Sequence, residues 1–272
     1  MDEHHDPIWS GERQAAQTAV ADYEAVLDEY LGRGAARTVE LLGLRPGERV
    51  LDVACGTGAA TLAAAERVGP GGRVTGLDLS PEMLAMAADK ARGRGIGNAS
   101  WVAGDMARLD YPDGHFDAVL SVLSLFFAPD MAAQAAELWR VVRPGGRLAI
   151  TTLGRKLFAP LHVVFEDAVE EIAPGTPQNY APNRTNDPAV IGQLLAAAGI
   201  PGARITQEVY TLPLRSPDDW WRIVLGTGIR RTVMQMEPEA AARVRAHNRA
   251  WIVANDVRAV ELGFIYALAE KS

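Results

Sequence analysis

The stretch Val50-Leu51-Asp52-Val53-Ala54-Cys55-Gly56-Thr57-Gly58 decides how this chain is read. Val50 to Ala54 has the length and composition of a short buried strand, with one acid, Asp52, near its end. The loop that follows is made of small residues and opens into an Ala-rich helical stretch. Small residues let a ligand approach the backbone, and glycine supplies the positive φ that a tight strand-to-helix turn needs. The first N–H groups of the helix have no intrahelical partner and face that space. A dinucleotide loop would read Gly-x-Gly-x-x-Gly, but here the third glycine is replaced by Thr61. Asp52 would repel a pyrophosphate and suits a cationic ligand. S-adenosylmethionine, with a sulfonium and an ammonium, is such a ligand.

Residues 73–79 read as a second buried strand ending at Asp78, 20 residues beyond Gly58. An acid at that strand tip accepts hydrogen bonds from ribose hydroxyls. Ser80-Pro81-Glu82 then starts a helix, with a capping serine and proline at the first helical position. A third strand, Ala99 to Ala103, ends at Gly104-Asp105-Met106, where a carboxylate can accept from an adenine amino group. A fourth strand, Phe116 to Ser121, precedes a helix from about Pro129 to Val142. The turn Arg143-Pro144-Gly145-Gly146 feeds a fifth strand, Arg147 to Leu153. Each acid sits at the carboxyl end of its strand, where open α/β sheets bind ligands.

The ordered set LDVACGTG, LDLSPEML, GDM, FDAVLS and LWRVVRPGGRLAI resembles the class I S-adenosylmethionine-dependent methyltransferases. Within them it is similar to the UbiE-like C-methyltransferases of ubiquinone and menaquinone biosynthesis and their methyltransferase-domain relatives. The likeness is close over residues 45–153 and weaker from Pro188 onward. It implies an α/β fold with a seven-stranded, Rossmann-like, mostly parallel sheet in the order 3-2-1-4-5-7-6. It also implies a cofactor site in which Asp52, Ala54, Gly56, Thr57 and Gly58 surround the methionine moiety. Asp78 and Leu79 would meet ribose and adenine, Met83 would belong to the same pocket, Asp105 and Met106 would meet adenine, and Ser121 the methionyl side. Two departures stand out. Ala54 replaces the first glycine of the commonest motif, and Leu123-Ser124-Leu125-Phe126-Phe127 stands where the quinone enzymes carry Phe-Gly-Leu-Arg-Asn. The second departure argues against a quinone acceptor.

At 272 residues, 48% apolar and 22% charged, the chain can bury a good core as a globular α/β protein. Its net charge of −7 disfavours nucleic acid as a partner. No apolar run has the length of a membrane span, and the acidic start Met-Asp-Glu-His-His-Asp lacks a secretory core. The single cysteine, Cys55, excludes an internal disulfide and fits a cytoplasmic location. A small-molecule acceptor is the expected partner, and homodimerisation stays open.

The reading along the chain is a helical cap over residues 1–44, then the catalytic domain over 45–272. In the cap, Ala19, Tyr23, Val26, Leu27 and Leu31 recur at helical spacing. Two elaborations, 154–186 and 213–256, leave the sheet after strand five and between strands six (Ala203 to Leu212) and seven (Val257 to Ala267). The first holds a helix near His162 to Ile172. Asp187-Pro188 caps the next helix, to Ala198, and Ser216-Pro217-Asp218-Asp219 caps another. These elaborations and the cap are expected to form a lid over the acceptor. Tyr23, Phe126, Phe127, Phe158, Trp220 and Trp221 would be its apolar walls. The second elaboration carries seven arginines against five acids, a solvated face or the mark of a carboxylate or phosphate acceptor.

Methyl transfer from a sulfonium is an in-line displacement that depends on a close, dry, oriented site. Of five histidines, His162 is the best placed for a general base, with Glu166 one helical turn away to orient it. No carboxylate cluster points to a metal. Two other chemistries share parts of the pattern. A nicotinamide oxidoreductase would need the missing third glycine and a Tyr-x-x-x-Lys pair. A cyclase on a methyltransferase fold would keep the cofactor motifs without methylating. The main expectation is methylation, at carbon or oxygen, of a small, largely apolar metabolite in biosynthesis or secondary metabolism.

Overall fold

A computed structural model describes residues 32–178 and 181–272. The seven strands lie in one sheet in the order β3-β2-β1-β4-β5-β7-β6. They are β1 (Arg49–Val53), β2 (Arg73–Asp78), β3 (Ala99–Ala103), β4 (Phe116–Val122), β5 (Val142–Ala159), β6 (Arg204–Pro213) and β7 (Ala259–Glu270). β1 pairs in parallel with β2 and β4, β2 with β3, and β4 with β5. The described chain forms two compact units. The larger comprises 32–155, 182–208 and 264–272; the smaller comprises 156–178, Ala181 and 209–263.

In the larger unit the central strands are buried on both faces, so they read as apolar runs rather than alternations. Leu51, Val53, Val119, Leu148 and Ile150 pack into one core layer with α4 (Met131–Val141) and α6 (Pro188–Ala197). Their strand neighbours Val50, Ala118, Leu120 and Ala149 point the other way, onto α1 (Gly32–Leu42) and α2 (Ala59–Val68). Local capping starts the helices where the sequence indicates. Ser80 accepts from the Met83 N–H at the start of α3 (Pro81–Gly93), and Asp130 accepts from Ala133 N–H at the start of α4. Asp187 accepts from Ala189 N–H ahead of Pro188.

The smaller unit contains α5 (Leu161–Ile172), α7 (Asp219–Leu225), the short α8 (Arg230–Val233) and α9 (Pro238–Ala254). Packing of α5 against α9 builds its centre.

Several boundaries differ from the sequence reading, among them the end of strand five, which runs to Ala159 rather than Leu153 and takes in the first residues of the expected 154–186 elaboration. The Arg143–Gly146 turn is not a separate connection into strand five, because β5 begins at Val142. The register instead jumps from Phe116↔Val142 to Ala118↔Arg147. Gly145, at φ 71°, bulges out where its N–H donates to Lys271 O and Gly146 O accepts from Lys271 N. α7 starts at Asp219 without a side-chain cap, and the Asp219 carboxylate instead accepts from Arg215 N–H. Strand seven is displaced by two to three residues, to Ala259–Glu270. Within the expected cap, Gly32–Leu42 is a helix of the larger unit; Ala19, Tyr23, Val26, Leu27 and Leu31 lie outside the described residues.

Gly34 on α1 marks the tightest helix–sheet approach, since a Cβ there would run into the fully buried ring of Phe264. Gly34→Ala is expected to destabilise the fold by about 1–3 kcal/mol through overpacking. Thermal unfolding should show a Tm several degrees below the parent, and an unchanged Tm would disprove this contact.

Candidate active site

The loop after β1 turns through two successive positive-φ positions around Cys55, Ala54 at 56° and Gly56 at 55°, and then Gly58 at 85°. Ala54 is the costly one, because a Cβ is disfavoured there, and such strain collects at ligand sites. The Cys55 N–H donates to Leu77 O, which ties the loop to β2. A Cβ at Gly58 would lie 2.9 Å from Trp101 Cη2 and 3.0 Å from Ala87 Cβ, so only glycine fits. Gly76, which pairs with Trp101 across β2 and β3, is equally closed: a Cβ there would meet Trp101 Cζ3 at 2.8 Å and Cys55 Sγ at 2.9 Å. Thr57 is buried, and its hydroxyl accepts from Lys90 Nζ at 3.4 Å.

Beneath this loop Asp52 is almost wholly buried, and its Oδ2 accepts from the Thr61 hydroxyl at 2.6 Å. Thr61 is the residue that breaks the dinucleotide pattern, so the position that would carry a third glycine instead holds the acid. Burial, and secondarily the nearby Asp78 charge, push the Asp52 carboxyl up to about 7. Burial likewise raises the Cys55 thiol, reinforced by Asp52 and Asp78, so Cys55 is an inert thiol rather than a nucleophile.

Asp78 at the tip of β2 accepts from Gly56 N–H at 2.8 Å on one oxygen and from Ser80 N–H at 2.9 Å on the other. Each oxygen keeps a lone pair for a further donor such as a ribose hydroxyl. Beside it the large apolar side chain of Leu79 is 68% exposed. Met83 is buried, and it enters through its backbone N–H at the Ser80 cap. Asp105, at the end of β3, is exposed and accepts from Ala107 N–H at 2.8 Å; Met106 is half-buried against the core. Ser121 at the end of β4 is buried, its hydroxyl 2.6 Å from that of Ser124, which reaches Val53 O at 3.5 Å. The larger unit therefore brings Asp52, Ala54, Gly56, Thr57, Gly58, Asp78, Leu79, Asp105, Met106 and Ser121 to the carboxyl ends of β1 to β4. Trp101 is not singled out in the sequence, and Thr61 and Ser124 are named there only for the motifs they depart from, not as site residues. Only the pairing of a tryptophan with a strand glycine, which needs the register, would have pointed to Trp101.

The acceptor-side candidates divide between the units. Phe126, buried, and Phe127, 45% exposed, stack edge to face in a 3₁₀ turn (Leu125–Phe127) of the larger unit. Arg184 braces that turn by donating to Phe126 O at 2.9 Å and Ala128 O at 2.8 Å. In the smaller unit Phe158 and Trp220 are buried and pack edge to face, and Phe165 packs against both Trp220 and Trp221. The Trp220 indole N–H donates to Asn248 Oδ1 at 2.6 Å. His162 on α5 is buried, its Nδ1 3.5 Å from Glu166 Oε2. Burial pushes the imidazole down to about 4, so it is neutral at pH 7, and burial raises the Glu166 carboxyl. Among the described residues no three His, Cys, Asp or Glu side chains gather as a metal site, and no helix is long and apolar enough to cross a membrane.

Comparison with known proteins gives the family and the fold. The family described as "Methyltransferase domain" matches residues 50–146. Nocamycin O-methyltransferase of Saccharothrix syringae is 33% identical over 236 residues, 82% of this chain and 84% of that protein. The ubiquinone/menaquinone biosynthesis C-methyltransferase UbiE of Psychromonas ingrahamii is 34% identical over 155 residues; the match takes in 55% of this chain and 61% of that enzyme. In fold, the chain is similar to a SAM-dependent methyltransferase from Aquifex aeolicus, with a TM-score of 0.55 at 18% identity over 94% of this chain and 98% of that one. The chain belongs to the class I S-adenosylmethionine-dependent methyltransferases, and S-adenosylmethionine is its cofactor. The residues fit that group: a buried acid for a cation, and at the tip of β2 an acid whose oxygens keep lone pairs for ribose hydroxyls, next to a leucine that is 68% exposed.

The state of Asp52 makes two outcomes testable. Its raised value means that ionisation opposes folding, so the stability it contributes to the free protein is complete below about 4 and lost as pH rises through about 7. A cation at the loop favours the anion and drives a proton off. Cofactor affinity measured by titration calorimetry should therefore rise between about pH 5 and 7 and then level, with proton release on binding. Asp52→Asn should bind weakly and flatten that rise, and an equally steep rise in the variant would assign the proton elsewhere. Gly58→Ala should also weaken binding, since its Cβ and positive φ both displace the loop.

Proposed function

We propose that this enzyme transfers the methyl group to oxygen on a small, largely apolar metabolite, as a tailoring step in a biosynthetic pathway in the cytoplasm. The observation that carries this reading is the reach of the likeness to an O-methyltransferase. That likeness spans 82% of the chain, well beyond residues 50–146 that the methyltransferase-domain family matches, whereas the likeness to the quinone C-methyltransferase stops at 55%. The Leu123–Phe127 segment, which differs from the quinone enzymes, supports the same choice.

When bound, S-adenosylmethionine supplies an electrophilic methyl on a positively charged sulfur. As the new carbon–oxygen bond forms and the carbon–sulfur bond breaks, the acceptor hydroxyl must release its proton. His162 is the residue proposed to take it, held on α5 beside Glu166. The imidazole is neutral at pH 7 and so is able to accept, but its depressed basicity places its contribution at the low end of general-base catalysis, about 10²-fold. Phe126, Phe127, Phe158, Trp220 and Trp221, with Tyr23, are proposed acceptor contacts on the strength of their positions along the chain. Aromatic walls exclude water and favour flat, apolar acceptors.

The test is turnover with small hydroxylated aromatic and aliphatic compounds, following release of S-adenosylhomocysteine and the methylated product by mass spectrometry. Product without S-adenosylhomocysteine would instead indicate cyclase-type chemistry. His162→Ala should lower kcat about 100-fold while cofactor Kd stays at the parent value. Parent-level turnover in that variant would remove His162 from the mechanism.

A further inference from the structure

We propose that Gln134 is a positioning residue for recognition of the cofactor's nucleobase, an inference that rests on the assignment of Asp105 and Met106 to the adenine. The segment after β3 has no regular structure of its own, and one face of α4 grips it. Three side chains at intervals of three residues do this. Gln134 Nε2 donates to Met106 O at 2.5 Å, and Glu137 accepts from Leu109 N–H at 2.9 Å. Arg140 donates to Leu109 O at 2.9 Å and to Tyr111 O at 2.7 Å, and is itself held by Glu137 at 2.7 Å.

Glu137 and Arg140 satisfy each other as well as the loop. Gln134 does not. It is 4% exposed, and its Oε1 is buried with no hydrogen-bond partner among the described residues. The orientation is forced, since the Met106 carbonyl needs a donor and only the amide nitrogen supplies one. An unpartnered buried acceptor opposes folding, and apolar side chains of similar size would fill the place more stably. What the amide does provide is a fixed orientation for the peptide plane that follows Met106. The next N–H, that of Ala107, is held by Asp105 Oδ1 at 2.8 Å, so the two bonds pin both edges of the turn. The carboxylate that would accept from the exocyclic amino group is thereby aimed through Gln134.

The experiment compares affinities for S-adenosylhomocysteine and S-inosylhomocysteine, in which an oxo group replaces the amino group, in the parent, Gln134→Leu and Gln134→Glu. The parent should favour the adenine form by about tenfold or more. Gln134→Leu should lose most of that preference with an unfolding temperature equal to or above the parent's, because the orphan acceptor is gone. Gln134→Glu, which places an anion against the Met106 carbonyl, should lose both preference and stability. A leucine variant that keeps the parent preference overturns the proposal, and lowered stability with intact preference reduces Gln134 to packing. A parent that binds neither compound would defeat the cofactor assignment itself, a result separate from the other two.

Discussion

The burial of one carboxyl group, Asp52, governs how this fold becomes a site. A lone carboxylate in an apolar interior is so unfavourable that it takes a proton or finds a cation. Here Thr61 supports it through its hydroxyl and its backbone N–H, and Asp78 adds repulsion. The protein thus carries an unsatisfied preference for positive charge directly under the strand-to-helix loop. Replacing Thr61 by the glycine of a dinucleotide loop would remove the hydroxyl.

The sheet explains why the other polar groups stand where they do. Residues such as Val119, Leu120, Leu148 and Ile150 are buried, and the polar side chains that lie within the strands, Asp52, Thr151 and Thr152, are each hydrogen-bonded. Two further polar groups stand at strand ends, where Asp78 accepts from two backbone N–H groups and Ser121 pairs with Ser124. Two of the four non-glycine residues at positive φ among the described residues, Ala54 and Leu123, sit just past β1 and β4.

What was legible in the sequence was local. The strand–loop–helix run, the Ser80-Pro81 and Asp187-Pro188 caps, and the acids at strand tips are set by residues within four positions of one another, and each is found in place. What was not legible depends on pairs far apart in the chain. Trp101 matters because register places it on Gly76, and Gln134 because α4 lies over a loop 28 residues away. The Arg143–Gly146 bulge depends on Lys271, whose ammonium also donates to Trp139 O and Val142 O at 2.8 Å. Local pattern carries no trace of such partners, so the segment reads as an ordinary turn.

The arginine excess between β6 and β7 bears on the acceptor. As sequence it allowed two meanings, a solvated face or a recognition patch for an anion. In the smaller unit Asp219 accepts from Arg215 and Arg222, both at 3.1 Å, while Asp218 lies 3.4 Å from Arg245 and 3.5 Å from Arg249. Arg243 donates to Ile172 O at 3.4 Å, and neither Arg230 nor Arg231 is free. Four of the seven guanidinium groups are therefore matched to two carboxylates, and a fifth is committed to a helix end. Exposed pairs of this kind add little stability, but they lower the net positive field that an anionic ligand would need. With Trp220, Phe158 and Phe165 clustered at the unit's centre, the balance of its chemistry is apolar and close to neutral. That balance supports an acceptor held by shape and aromatic contact rather than by a carboxylate or phosphate handle.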